Sequence, residues 1–364
     1  MAHVLNKPIP INTLIDDIKF NCEVSDAKYW GHFSICGLLM RLRDLYRSEH
    51  NLKPWGHINR QAISEWISQK ENLWKDLEDK DFRDLIINGQ RYHPFEVFDI
   101  NQILKDYGLV YGAGYGLYMK PTFFLAELLS KKEMYDYTIY TTKQEYVRDI
   151  FSSAAMLQGR CIFLRLEPLK TLLWEKFLDF RAKGDTARGY AFPMSGFKPD
   201  EDMDENFEKR LDELADRYSS VLLYHELGEA IEDIPDWHDI LIKTEDRNIE
   251  YFLRALKDLI SDTSDYGPLK RIVDTKDNVS LVLFVAFLEG YRKTMYPEIK
   301  EVFTKFIGKE DWNLIDDIRI SGHTRFVLLR KKAVEAYKTC GSKEDIAKRI
   351  KELIEADTGM SHRR

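Results

Sequence analysis

Along most of the chain, apolar positions recur at steps of three and four, the spacing of one buried face of an α-helix. In "SDAKYWGHFSICGLLMRLRDLYR", Phe33, Cys36, Leu39, Leu42 and Leu45 or Tyr46 follow that spacing, and Ser25 or Asp26 stands where an N-cap belongs. "RQAISEWISQKENLWKDLED" repeats the pattern with Ile63, Trp66, Ile67 and Trp74. The same periodicity predicts helices near 95–106, 121–132, 143–157, 167–182, 201–232, 245–261, 277–307 and 326–354. β-favouring runs are few and short: "LVYGAG", "YTIYTT" and "CIFLRL" predict a small sheet or a hairpin. The expected fold is mainly α, with a helical second half and a small β element in the first half.

Turn residues break the pattern once on a large scale. Gly184, Gly189, Pro193, Gly196 and Pro199 fall between Ala182 and Glu205. This predicts an N-terminal domain over 1–183, a linker or lid loop over 184–200, and a C-terminal helical domain over 201–364.

One stretch carries candidate chemistry. In "VLLYHELGEA", Val221 to Ala230, the apolar stripe of Phe207, Leu211, Leu214, Tyr218, Val221 and Leu222 continues onto His225, Gly228 and Glu229. His225 and Glu229, four residues apart, therefore face the interior and stack one above the other, as two ligands of one ion on a helix must. The pattern differs by one residue from the His-Glu-x-x-His of zinc hydrolases. Its carboxylate moves the preference towards harder ions, so zinc, manganese and iron are all expected cofactors. Glu226 would sit beside the ion as the general base. The third ligand is sought in "NVSLVLFVAFLEGYRK". Val279 to Leu288 is apolar on nearly every face behind Asp277 and Asn278, a central buried helix that ends on Glu289. A buried acid there needs a cation, either the metal or a side chain such as Arg292. His238 and Glu250 are secondary candidates.

The competing reading of the same residues is a structural cluster of buried ion pairs in a non-enzymatic helical protein that binds a partner or a small effector. A third reading uses "LVYGAGYGLYMKPTFF". There Gly112, Gly114 and Gly116, with Lys120, could form a turn between a strand and a helix starting near Pro121 and hold a nucleotide or phosphate. The spacing is neither Gly-x-Gly-x-x-Gly nor a Gly-Lys-Ser/Thr loop. His32 and Cys36, also four apart, read as core residues, and His323 with Arg325 reads as a solvated helix start.

Composition narrows the setting. The net charge of −7 argues against a general grip on nucleic acid. No apolar run is long enough for a bilayer span, and the start "MAHVLNKPIPINTL" lacks the pattern of a secretory leader. The four cysteines are scattered, as in a reducing compartment. A cytoplasmic protein acting on a small molecule or peptide is expected. The amphipathic C-terminal helix suits docking on the body or on a second copy in a homo-oligomer.

"FNCEVSDAKYWGHFSICGLLMRLRDLYR" together with "HELGEA" resembles an uncharacterised bacterial family classed as a domain of unknown function, over most of the chain. The resemblance implies a bacterial cytoplasmic setting and assigns no catalytic residue.

Overall fold

The computed structural model describes residues 11–116, 119–183, 188–232, 237, 240–241 and 246–358. The fold is mainly α, with a curled five-strand sheet in the first half and helices in the second. The chain divides into two compact units, one formed by 1–178 with 203–215, the other by 179–202 with 216–364.

The first unit opens with α1 (Ile11–Tyr29), α2 (Ile35–Glu49) and α3 (Arg60–Leu77). Ser34, not Ser25 or Asp26, caps the helix that carries Leu42, Leu45 and Tyr46, accepting from the Gly37 amide. Ser25 and Asp26 lie instead in the preceding helix, fully buried. A two-strand hairpin, β1 (Leu85–Ile87) and β2 (Gln90–Tyr92), and the short helix α4 (Val97–Leu104) lead into the sheet. Its strands are β3 (Leu109–Tyr115), β4 (Pro121–Met134), β5 (Tyr137–Arg148), β6 (Ala155–Gln158) and β7 (Cys161–Arg165), in the order β3-β4-β5-β7-β6. All neighbours are antiparallel except β5 and β7. Leu14, Ile18 and Cys22 of α1 close the core over this sheet with Val110, Phe123, Tyr140 and Phe163.

The three β-favouring runs became β3, β5 and β7, but the helices predicted over 121–132 and 143–157 are strands. Pro121 to Ala126 is buried at every position of β4, so apolar residues fill both faces and the alternation of a half-exposed strand never shows. The chain from Leu125 to Ser130 also shifts register against β5, which breaks the period further.

The strand–turn–helix geometry expected for the phosphate loop is not what the chain forms. Gly112 and Gly114 lie within a paired strand, and Pro121 begins another strand rather than a helix. Gly112 is needed for a different reason: a Cβ there would stand 2.1 Å from the ring of Phe124, its partner across the sheet. The Gly116 amide donates to the Lys120 carbonyl. Lys120 itself is fully buried, with its ammonium 3.0 Å from Asp26, 3.2 Å from Asp149 and 2.8 Å from the Ser25 hydroxyl. A cation already committed to two carboxylates has no charge left for a phosphate.

Helix α5 (Leu166–Lys183) is followed by α6 (Arg188–Met194), which occupies part of the predicted 184–200 linker, and by α7 (Glu205–Ile231). The second unit then adds α8 (Arg247–Thr263), α9 (Pro268–Thr275), α10 (Asn278–Ala286), α11 (Gly290–Met295), α12 (Pro297–Lys309), α13 (Trp312–Thr339) and α14 (Lys343–Thr358). The helix predicted over 277–307 is thus three helices, and His323 and Arg325 lie inside α13 rather than at a helix start. Phe252, Leu253, Leu256, Leu259 and Ile260 of α8 are wholly buried, and α10 is buried from Ser280 to Ala286. Among the described residues, no helix is long and apolar enough to cross a membrane.

Candidate metal centre

Near its C-terminus, from His225 to Glu229, α7 meets α8, and the closeness of that approach is set by Gly228. A Cβ at this position would meet the Ser261 hydroxyl at 2.5 Å and the Ser261 carbonyl at 2.8 Å. The Ser261 hydroxyl donates to the carbonyl of His225, tying the two backbones together. The glycine inside "HELGEA" therefore brings the side chains before and after it into reach of α8.

His225 is gripped from both sides. Its Nδ1 lies 2.8 Å from Asp262 Oδ1, and its Nε2 lies 3.5 Å from Glu229 Oε1. Asp262, one residue after Ser261, is buried and also accepts from Arg292 of α11 at 2.6 Å. Glu229 accepts from Lys257 at 2.6 Å. Asp258, one turn before Asp262 on α8, completes a group of ligand atoms from His225, Glu229 and Asp258 that all lie within 4.8 Å of one another. Among the described residues this is the sole such group with metal-ligand chemistry.

One of its distances and one of its neighbours match what an ion requires. Ligands about 2.1 Å from one ion stand about 3.4 Å apart in a tetrahedron, and the His225 to Glu229 separation is 3.5 Å. A carboxylate on the far ring nitrogen of a ligating histidine fixes its tautomer and its orientation. Asp262 stands in that place.

The electrostatics are those of a crowded, half-buried site. Burial pushes the Glu226 carboxyl up to about 7, with Glu229 adding to the effect and His225 and Lys257 opposing it. Burial likewise raises Asp258 to about 6 against the pull of His225 and Arg292. For Glu229 the balance is reversed: burial would raise it, but the hydrogen bond and charge of His225, with Lys257, hold it well below the usual carboxylate range. Burial disfavours a charged His225, yet Asp262 and Glu229 outweigh it and raise that imidazole well above its ordinary value. A metal binding here would displace that proton.

The raised Glu226 gives a signed prediction for chelator-treated protein. An acid whose folded value exceeds its unfolded value of 4.5 contributes stability below that value, and loses it as the pH climbs towards about 7. Glutamine cannot ionise. Glu226→Gln should therefore match the parent at pH 4 and exceed it at pH 8, read as the difference in urea midpoints at the two pH values.

Two of the residues the sequence singled out as ligands are thus brought together, and Glu226 lies within their electrostatic reach. Glu289 is not. The apolar helix stops at Ala286, and Glu289 is an exposed residue at the N-cap of α11, so the buried carboxylate expected there is absent. Arg292, three residues on, reaches the site instead and pairs with Asp262. Glu250 pairs with Arg254 one turn along α8, and His238 lies outside the described residues. Asp258 and Asp262 were missed, although "LKDLISD" places two acids four apart where the apolar face of α8 continues from Ala255.

Comparison with known proteins decides the family. Residues 13–165 match the N-terminal domain, and residues 170–357 the C-terminal domain, of a family of unknown function, DUF6866. The chain belongs to that family. The boundary between its two domains falls between the end of β7 and the first turn of α5. No curated protein and no solved structure matches the chain.

Proposed function

We propose that this DUF6866 protein is a metal-dependent hydrolase acting on a small molecule or peptide, with His225, Glu229 and Asp258 as ligands and Glu226 as the general base. The observation that carries the reading is the convergence of one imidazole and two carboxylates from two helices, with the histidine oriented by Asp262. One nitrogen and two oxygens favour manganese or iron(II) over a sulfur-seeking ion, with zinc also accommodated. An ion held by His225, Glu229 and Asp258 would supply the acidity that brings a bound water towards neutral pKa. Glu226, raised to about 7 by its surroundings, is matched to take a proton near that pH and return it to a leaving group.

A second reading is favoured by Lys257 and Arg292, which already supply cations to Glu229 and Asp262. In that reading the cluster is structural, and the protein is a helical partner- or effector-binding module. Elemental analysis of tag-free protein separates the two. The hydrolase reading predicts near-stoichiometric manganese, iron or zinc, lost in His225→Ala and retained in Glu226→Gln. Metal-free protein after repletion with all three ions would leave the structural reading standing.

A further inference from the structure

A cleft beside the metal centre has the chemistry of an anion site. It lies between α7, α9 and the start of α10, and its polar lining is Ser220, Tyr224, Arg271, Thr275, Asp277 and Ser280. The Arg271 guanidinium stacks over the Tyr224 ring, 5.4 Å from its centroid. No carboxylate among the described residues pairs with it. The two nearby acids are occupied: Asp277 accepts from the Ser280 amide and hydroxyl and lies 3.5 Å from Arg217, and Asp274 pairs with Lys270. Of the residues that line the cleft, Arg271 is the cation and Asp277, already engaged by Ser280 and Arg217, is the acid.

We propose that this cleft anchors a carboxylate or phosphate group of the substrate through Arg271. The anchored molecule is called a substrate on the strength of the hydrolase reading; the anion site itself stands without it. A guanidinium offers a planar fork that matches both oxyanions bidentately, and the Tyr224 ring holds that plane in place before a ligand arrives. The hydroxyls of Ser220 and Tyr224 are further donors to the same space. The position also suits the role. Tyr224 immediately precedes His225, and Val221, which also lines the cleft, lies four residues before it, about 6 Å along the helix axis. A small substrate held by its anionic end at Arg271 would extend along α7 towards the three ligands.

The test titrates inorganic phosphate, and separately acetate, into the full chain at low ionic strength, with amide shifts recorded by heteronuclear NMR. Saturable shifts centred on Tyr224, Arg271 and Ser280 are expected, weakened about tenfold or more in Arg271→Ala and in Arg271→Gln. Arg271 is exposed, so both variants keep the fold. Whichever anion binds more tightly identifies the group carried by the substrate. His225→Ala should lose metal and leave phosphate binding unchanged, so failure of the anchor and failure of the metal site are told apart. Equal phosphate affinity in the parent and both Arg271 variants, or shifts that do not saturate, would overturn the proposal.

Discussion

Lys120→Met should cost the first unit about 3–5 kcal/mol of stability, the usual penalty for removing one partner of a buried ion pair. The lysine is wholly buried, and its ammonium is shared by Asp26 and Asp149, which are equally secluded. Those acids are not spare. Asp26 accepts from the Ile150 amide, and Asp149 from the amides of Phe123 and Phe151, so the cluster pins the end of β5 and the start of β4 onto α1. Methionine fills the volume of lysine without its charge, which leaves two carboxylates facing each other out of water. Burial already pushes Asp26 up to about 7 while Lys120 pulls it down. Without the lysine, Asp26 would fold protonated. Adding Asp26→Asn to Lys120→Met should recover part of the loss, because asparagine is neutral at every pH and spares the cost of protonating a buried carboxyl. Urea denaturation of the parent, the single variant and the double variant measures both effects, and a neutral Lys120→Met would refute the account of this cluster.

The second large effect is expected at Asp262. Asp262→Ala leaves the Arg292 guanidinium and the His225 imidazolium without the buried carboxylate they share. A loss of about 3–5 kcal/mol follows by the same reasoning. Asp262→Asn keeps the shape and one acceptor, so it should fold. It no longer fixes the imidazole tautomer, and metal affinity should fall about 10- to 100-fold, the range seen when partners of metal-bound histidines are removed. The two substitutions separate the roles of one side chain: alanine reads its part in holding the helices together, and asparagine reads its part in orienting His225. Retention of full metal affinity by Asp262→Asn would show that His225 is positioned by something else.

The helix bearing the motif was legible because its apolar stripe runs unbroken from Phe207 to His225, and a helical period over that length fixes which side chains share a face. His225 and Glu229 were legible for the same reason. Asp258 was not, because periodicity says which face of a helix is buried and not which helix it meets. The clue lay in Gly228, where a side chain is excluded by the Ser261 backbone, and in the pair of acids on the far helix. Glu289 was misplaced because an apolar run was extended to its last letter, whereas the helix ends three residues earlier and the chain turns. In the first half, Leu, Glu and Lys in β4 and β5 carry helical propensity that pairing and two-sided burial override. The glycines of β3 read as a loop because a glycine admitting a neighbouring ring and a glycine admitting a phosphate are the same letter.

The central claim is that one ion sits between α7 and α8. The most direct measurement is an anomalous difference map from a crystal of the protein grown with manganese, recorded on both sides of the metal's absorption edge. The account predicts a single strong peak about 2.0–2.3 Å from His225 Nε2 and from one carboxylate oxygen each of Glu229 and Asp258, with Lys257 displaced from Glu229. A map with no peak there, and with Lys257 still bonded to Glu229 at saturating manganese, would contradict it.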